Sequence, residues 1–60
     1  MDELLEIEKI LENAKIDAAK FYKKQNFVAG TRCTINLLLV IKKCKTIRKE
    51  IFEFKNASKN

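Results

Sequence analysis

Sixty residues make at most one small domain, and a chain this short buries only about 60% of its unfolded surface, so a core of its own is marginal. Two Cys, no His and no Trp rule out the usual four-ligand zinc site, and no calcium-loop spacing is present, so no metal or cofactor is expected. The staple left for so small a chain is association with further chains. There is no Pro and one Gly, and helix-forming Lys, Glu, Leu, Ile and Ala dominate, which predicts an all-α protein.

The first predicted element is a helix from about Asp2 to Lys24. Leu4, Ile7, Leu11, Ala14, Ala18 and Phe21 step by three and four, which marks one helix face. Asp2 and Glu3 in the first turn and Lys23 and Lys24 in the last both suit the helix dipole. Met1 leads straight into this acidic segment, so no signal peptide is expected and the chain reads as cytoplasmic, with reduced cysteines.

A short turn follows at Gln25-Asn26. Asn26 is preferred over Thr31 as the N-cap of the next helix, because its side chain can accept an orphan backbone N–H. A turn this short makes the two helices an antiparallel hairpin.

The second helix is predicted from Phe27 to about residue 55, with residues 56–60 as a frayed tail. Its stripe is Gly30, Cys33, Leu37, Val40, Cys44, Ile47, Ile51 and Phe54. Folding about the turn pairs residues whose numbers add to 51: Leu4 with Ile47, Ile7 with Cys44, Leu11 with Val40, Ala14 with Leu37, Ala18 with Cys33, Phe21 with Gly30. Large residues then meet small ones, as in interdigitating layers. Cys33 and Cys44 read as small buried apolar residues, about 16 Å apart along the helix and too far to bridge.

The second helix is apolar on more sides than one partner covers, with Leu37 to Ile41 running most of the way round it. A second hairpin is the simplest cover, giving a dimeric four-helix bundle. Leu38, Leu39, Ile41, Ile51, Phe52 and Phe54 are the candidate interface residues. The same apolar run is far short of the roughly 20 residues that span a bilayer, so no membrane partner is expected.

The net charge of +5 is unevenly placed: residues 1–24 carry six acids and five Lys, residues 25–60 eight bases and two acids. Such a balance suits an anionic partner, nucleic acid first. Lys20, Lys23, Lys24 and Arg32 cluster at the turn end, with Asp17 the one acid near them. Lys42, Lys45 and Lys49 line one face of the second helix, flanked by Lys43 and Arg48. The competing reading is that this second group is laced to Glu3, Glu6, Glu8 and Glu12 of the first helix. Carboxylate pairs such as Glu3 with Glu6 read as solvated faces. Without His or a pocket, no acid–base site and no enzyme is expected.

The stretch from Gln25 to Arg32, followed by Lys42, Lys45 and Arg48-Lys49-Glu50, resembles the chlamydial histone-like protein and its short linker-histone-like relatives in other bacteria. Asn26, Ala29, Gly30, Thr31, Arg32, Lys42, Lys45, Arg48, Lys49 and Glu50 match in one ungapped register, within a resemblance covering about residues 14–51. The resemblance implies a histone-like, nucleoid-associated protein that binds and compacts DNA, with Arg32 and the Lys42–Lys49 group as contacts. Two positions and one stretch depart from that pattern: Gln25 replaces the turn glycine, Thr34 replaces a second Arg, and Leu37 to Ile41 replaces a polar helix middle. A second function stays open beside it, a helical assembly module that docks a protein partner without nucleic acid.

Overall fold

A computed structural model describes residues 2–58, which form two α-helices and no strand. Helix α1 spans Asp2–Lys24 and α2 spans Phe27–Ser58. The expected antiparallel hairpin is the observed one. α2 continues over residues 56–58, which were expected to fray, because no breaker interrupts it; Lys59 and Asn60 lie outside the described residues.

The turn is closed by two adjacent side-chain choices. Gln25 sits at φ 53°, in the left-handed region that favours glycine. With the chain so reversed, the N–H of Asn26 reaches back to the Lys20 carbonyl at 3.4 Å. Gln25 therefore takes the backbone conformation that a turn glycine supplies without strain. Asn26 caps α2 as expected, its Oδ1 accepting the Ala29 N–H at 3.1 Å. Above the turn, Phe21 packs edge-on against Tyr22 and Phe27, with ring centroids 5.1 and 6.1 Å apart. Phe21 also lies on Gly30 so closely that a Cβ there would stand 2.6 Å from its Cδ1. That contact is the expected large-against-small pair.

The seam is rotated from the expected one. Ile7, Ala14, Ala29 and Ile47 are buried, joined by half-buried Ile10, Ala18, Phe21, Cys33, Val40 and the stem of Lys43. Leu4, Leu11, Leu37 and Cys44, all placed on the seam by the sequence stripe, are exposed. The rotated seam brings one edge together, where two ion pairs cross between the helices. Arg32 binds Asp17, and Lys43 binds Glu6 at 3.0 Å. The apolar residues of the opposite edge are turned outward.

The result is long and thin. Its extents are 55 × 15 × 11 Å and its radius of gyration is 15.5 Å, against about 10 Å for a compact chain of this length. It exposes 5278 Å², where a compact 7.0 kDa protein exposes about 4,000 Å². α1 is 23 residues and α2 is 32, so the end of α2 projects past the start of α1, where Glu3 still lines a groove with Ile51 and Phe54. No helix among the described residues is long and apolar enough to cross a membrane.

Candidate nucleic-acid interface

Two groups of cations lie on the hairpin. At the turn end Lys20, Lys23 and Lys24 are exposed on the last turn of α1. Arg32 enters the group from the second turn of α2, but it is not a loose surface cation. Its Nη2 donates to Asp17 Oδ1 at 3.0 Å and its Nε to Asp17 Oδ2 at 3.4 Å. This fork matches a carboxylate with two parallel bonds. Asp17 is itself buried, at 8% exposure, while half of the Arg32 side chain faces solvent.

The hydrogen bond from Arg32 is the main cause holding the Asp17 carboxyl below its ordinary pKa. Partial burial opposes it, and the charges of Arg32 and Lys20 add to it. The same bond raises Arg32, so the guanidinium is charged at every accessible pH. Sequence reasoning noted Asp17 as a neighbour of the cluster and missed it as a seam residue. The signal was present: Ile7, Ile10, Ala14, Asp17 and Phe21 also step by three and four.

The second group lies on α2. Lys42, Lys45 and Lys49 share its outer face, away from α1, and all are exposed. Arg48 and Lys55 border this face and, with Lys45, Lys49, Ile51 and Phe52, line a shallow open groove. Lys43 is turned the other way, toward Glu6. Charge lacing between the helices is thus slight. Among the described residues Glu6, bound by Lys43, is the one acid of α1 in an ion pair with this half of α2, and Lys42, Lys45, Arg48 and Lys49 hold no ion pair. Lys20, Lys23 and Lys24 hold none either.

Thr34 adds no charge where the resemblance places a second Arg; its hydroxyl donates to the Gly30 carbonyl at 3.1 Å. The candidate interface residues of α2 do not share a face. Leu38 and Phe52 point away from α1, Ile41 and Ile51 lie toward the exposed apolar edge, and Leu39 lies on the ion-paired edge, in a groove with Glu3, Lys42, Lys43 and Thr46. Phe54 lines a groove with Glu3, Ile47, Glu50 and Ile51 where α1 begins. No group of His, Cys, Asp and Glu among the described residues has metal-binding geometry.

A family model described as histone H1-like protein Hc1 matches residues 1–57. No curated protein and no solved structure matches the chain.

Proposed function

The chain belongs to the histone H1-like Hc1 family, and from that premise we propose that it is a nucleoid-associated protein that binds DNA through phosphates, without base readout, as a helical oligomer. One observation carries the reading. Of the nine basic candidates, Lys20, Lys23, Lys24, Lys42, Lys45, Arg48 and Lys49 hold no ion pair among the described residues, where Arg32 and Lys43 do. Ammonium and guanidinium groups not neutralised within the chain are those that can displace counterions from a phosphate backbone. Contacts to phosphate position a protein on DNA and carry no sequence information. The surface also offers no helix set to enter a groove as a recognition module: the outer face of α2 mixes its lysines with Ile35, Leu38 and Phe52.

In this reading the turn-end lysines and the Lys42–Lys49 face both touch DNA, and Arg32 contributes the part of its guanidinium that Asp17 leaves in solvent. The chain has no catalytic role, and its place is the nucleoid. The test is a titration against a random-sequence duplex. Binding is expected to be indifferent to sequence and to weaken as salt rises. Reversing Lys20, Lys23 and Lys24 to Glu is expected to abolish it with the helices intact. Unchanged binding by that variant would contradict the reading.

A second reading, an assembly module with a protein partner and no nucleic acid, is favoured by the exposed Leu37, Leu38 and Ile41. It predicts no binding of the duplex at any salt.

A further inference from the structure

The two long edges of the hairpin differ in chemistry. Both interhelix ion pairs, Asp17 with Arg32 and Glu6 with Lys43, lie on one edge. Helical spacing places Leu4 and Leu11 of α1 together with Leu37, Ile41, Cys44 and Ile51 of α2 on the other. The groove between Ala18, Tyr22, Gly30, Thr34 and Leu37 shows that the two helices do meet on that side at its turn end. Leu4, Leu11, Leu37, Ile41 and Ile51 are 38–51% exposed, and Cys44 is exposed as well. These six residues form a largely apolar face running along both helices, with Arg48 set among Ile41, Cys44 and Ile51.

We infer that this face docks a second copy of the chain about a twofold axis parallel to the helices, so that α1 of each copy lies on α2 of the other. The proposal rests on the self-association in the functional reading above and names its surface. Two observations select the occupant. The first is area. The chain exposes 5278 Å², about 1,200 Å² more than a compact protein of its mass, and a stable pair needs about 800 Å² from each partner. A second copy therefore covers an excess of the right size.

The second observation is charge. The first half of α1 carries Glu3, Glu6, Glu8 and Glu12, and the facing half of α2 carries Lys42, Lys43, Lys45, Arg48 and Lys49. An axis parallel to the helices sets acidic α1 over basic α2, with Glu8 on one rim and Lys45 and Arg48 on the other. An axis across the helices would stack α1 on α1 and α2 on α2 in opposite directions; the acidic half of α1 would still meet Lys15 to Lys24, but α2 would meet α2 with bases in both halves. Every neighbouring pair is antiparallel about either axis, as in short-looped four-helix bundles, so charge is what separates the two. Leu39, on the ion-paired edge, takes no part in it.

Sedimentation equilibrium without DNA tests this independently of any nucleic-acid binding. The unaltered chain is expected at twice its 7.0 kDa mass. Leu11→Glu and Leu37→Lys are each expected to halve that mass, and Leu39→Glu to leave it unchanged. An equimolar mixture of Leu11→Glu and Leu37→Lys should recover the doubled mass, because α1 of one variant then meets α2 of the other with opposite charge.

A monomeric parent chain, an assembly larger than a pair, dissociation by Leu39→Glu alone, or a mixture that stays monomeric would each overturn the proposal. Should a variant lose its helix signal on dissociation, alkylation of the unaltered chain decides. Cys44 is expected to react more slowly as concentration rises, and a rate independent of concentration would count against the face.

Discussion

Asn26 and Gln25 carry the turn between them, and each makes a stability prediction of opposite sign. Asn26 supplies the acceptor for the Ala29 amide, whose residue is fully buried, so water cannot replace the bond. Asn26→Ala is expected to cost about 1 kcal/mol, read as a lower urea midpoint with the slope unchanged, and Asn26→Asp to cost little. Gln25 at φ 53° holds a conformation that L side chains adopt with strain. Gln25→Gly is expected to stabilise the hairpin by about 0.5–1 kcal/mol in the same measurement.

Asp17 is the residue whose effect depends on pH. Its folded pKa lies below its unfolded one, chiefly because Arg32 donates to it. A lowered carboxylate pKa stabilises the fold above the unfolded pKa and loses that contribution as pH falls through the folded value. The parent chain is therefore expected to lose stability as pH drops below about 4. Asp17→Asn should start less stable at neutral pH and show a shallower acid limb. An unchanged acid limb would deny Asp17 this role.

At the scale of the helices, both were legible in the sequence, with the bounds of α1, the turn and the start of α2, while the end of α2 was placed three residues early. A chain with no Pro has few places to stop a helix, and Lys23 to Asn26 holds the stop signals close together. The Phe21–Gly30 contact was legible too, since reflection about the turn puts the largest seam residue on the one glycine. It makes a prediction in which two effects compete. Gly30→Ala gains about 1 kcal/mol of helix propensity. Its Cβ would also meet the Phe21 ring at 2.6 Å, and overpacking of this kind costs about 1–3 kcal/mol. Net destabilisation is expected in the parent chain. In a Phe21→Ala background the same change should stabilise, and a double-mutant cycle reads the difference.

The rotation of the seam was not legible. Leu4, Leu11, Leu37 and Cys44 form as regular a stripe as Ile10, Asp17, Asn36 and Lys43, and the first set is the more apolar. What marks the observed seam is the joint placement of Glu6 with Lys43 and Asp17 with Arg32, a property of two helices in register and not of either alone. Cys44 read as core for the same reason and is exposed.

For the whole molecule, charge and shape point to one account. Its four buried apolar residues, two of them alanines, make a thin core, and the long apolar edge remains outside it. Seven basic side chains of the two candidate groups hold no ion pair among the described residues along a 55 Å rod. A rod of this length presents the turn-end lysines and the Lys42–Lys49 face at separate points, so one molecule can span several phosphates. Membership of the Hc1 family and the unpaired cations were both approachable from the sequence, the first through the Asn26 to Arg32 junction. The tying of Arg32 to Asp17 was not, because it depends on a burial that only the rotated seam creates.

The central claim is phosphate-driven binding, and the salt dependence of the affinity for a random-sequence duplex tests it most directly. If a dimer engages about four phosphates, log K should fall against log salt with a slope of about −4, and unrelated duplexes should give the same line. A complex whose affinity does not change with salt, or no complex at the lowest salt, would contradict the account.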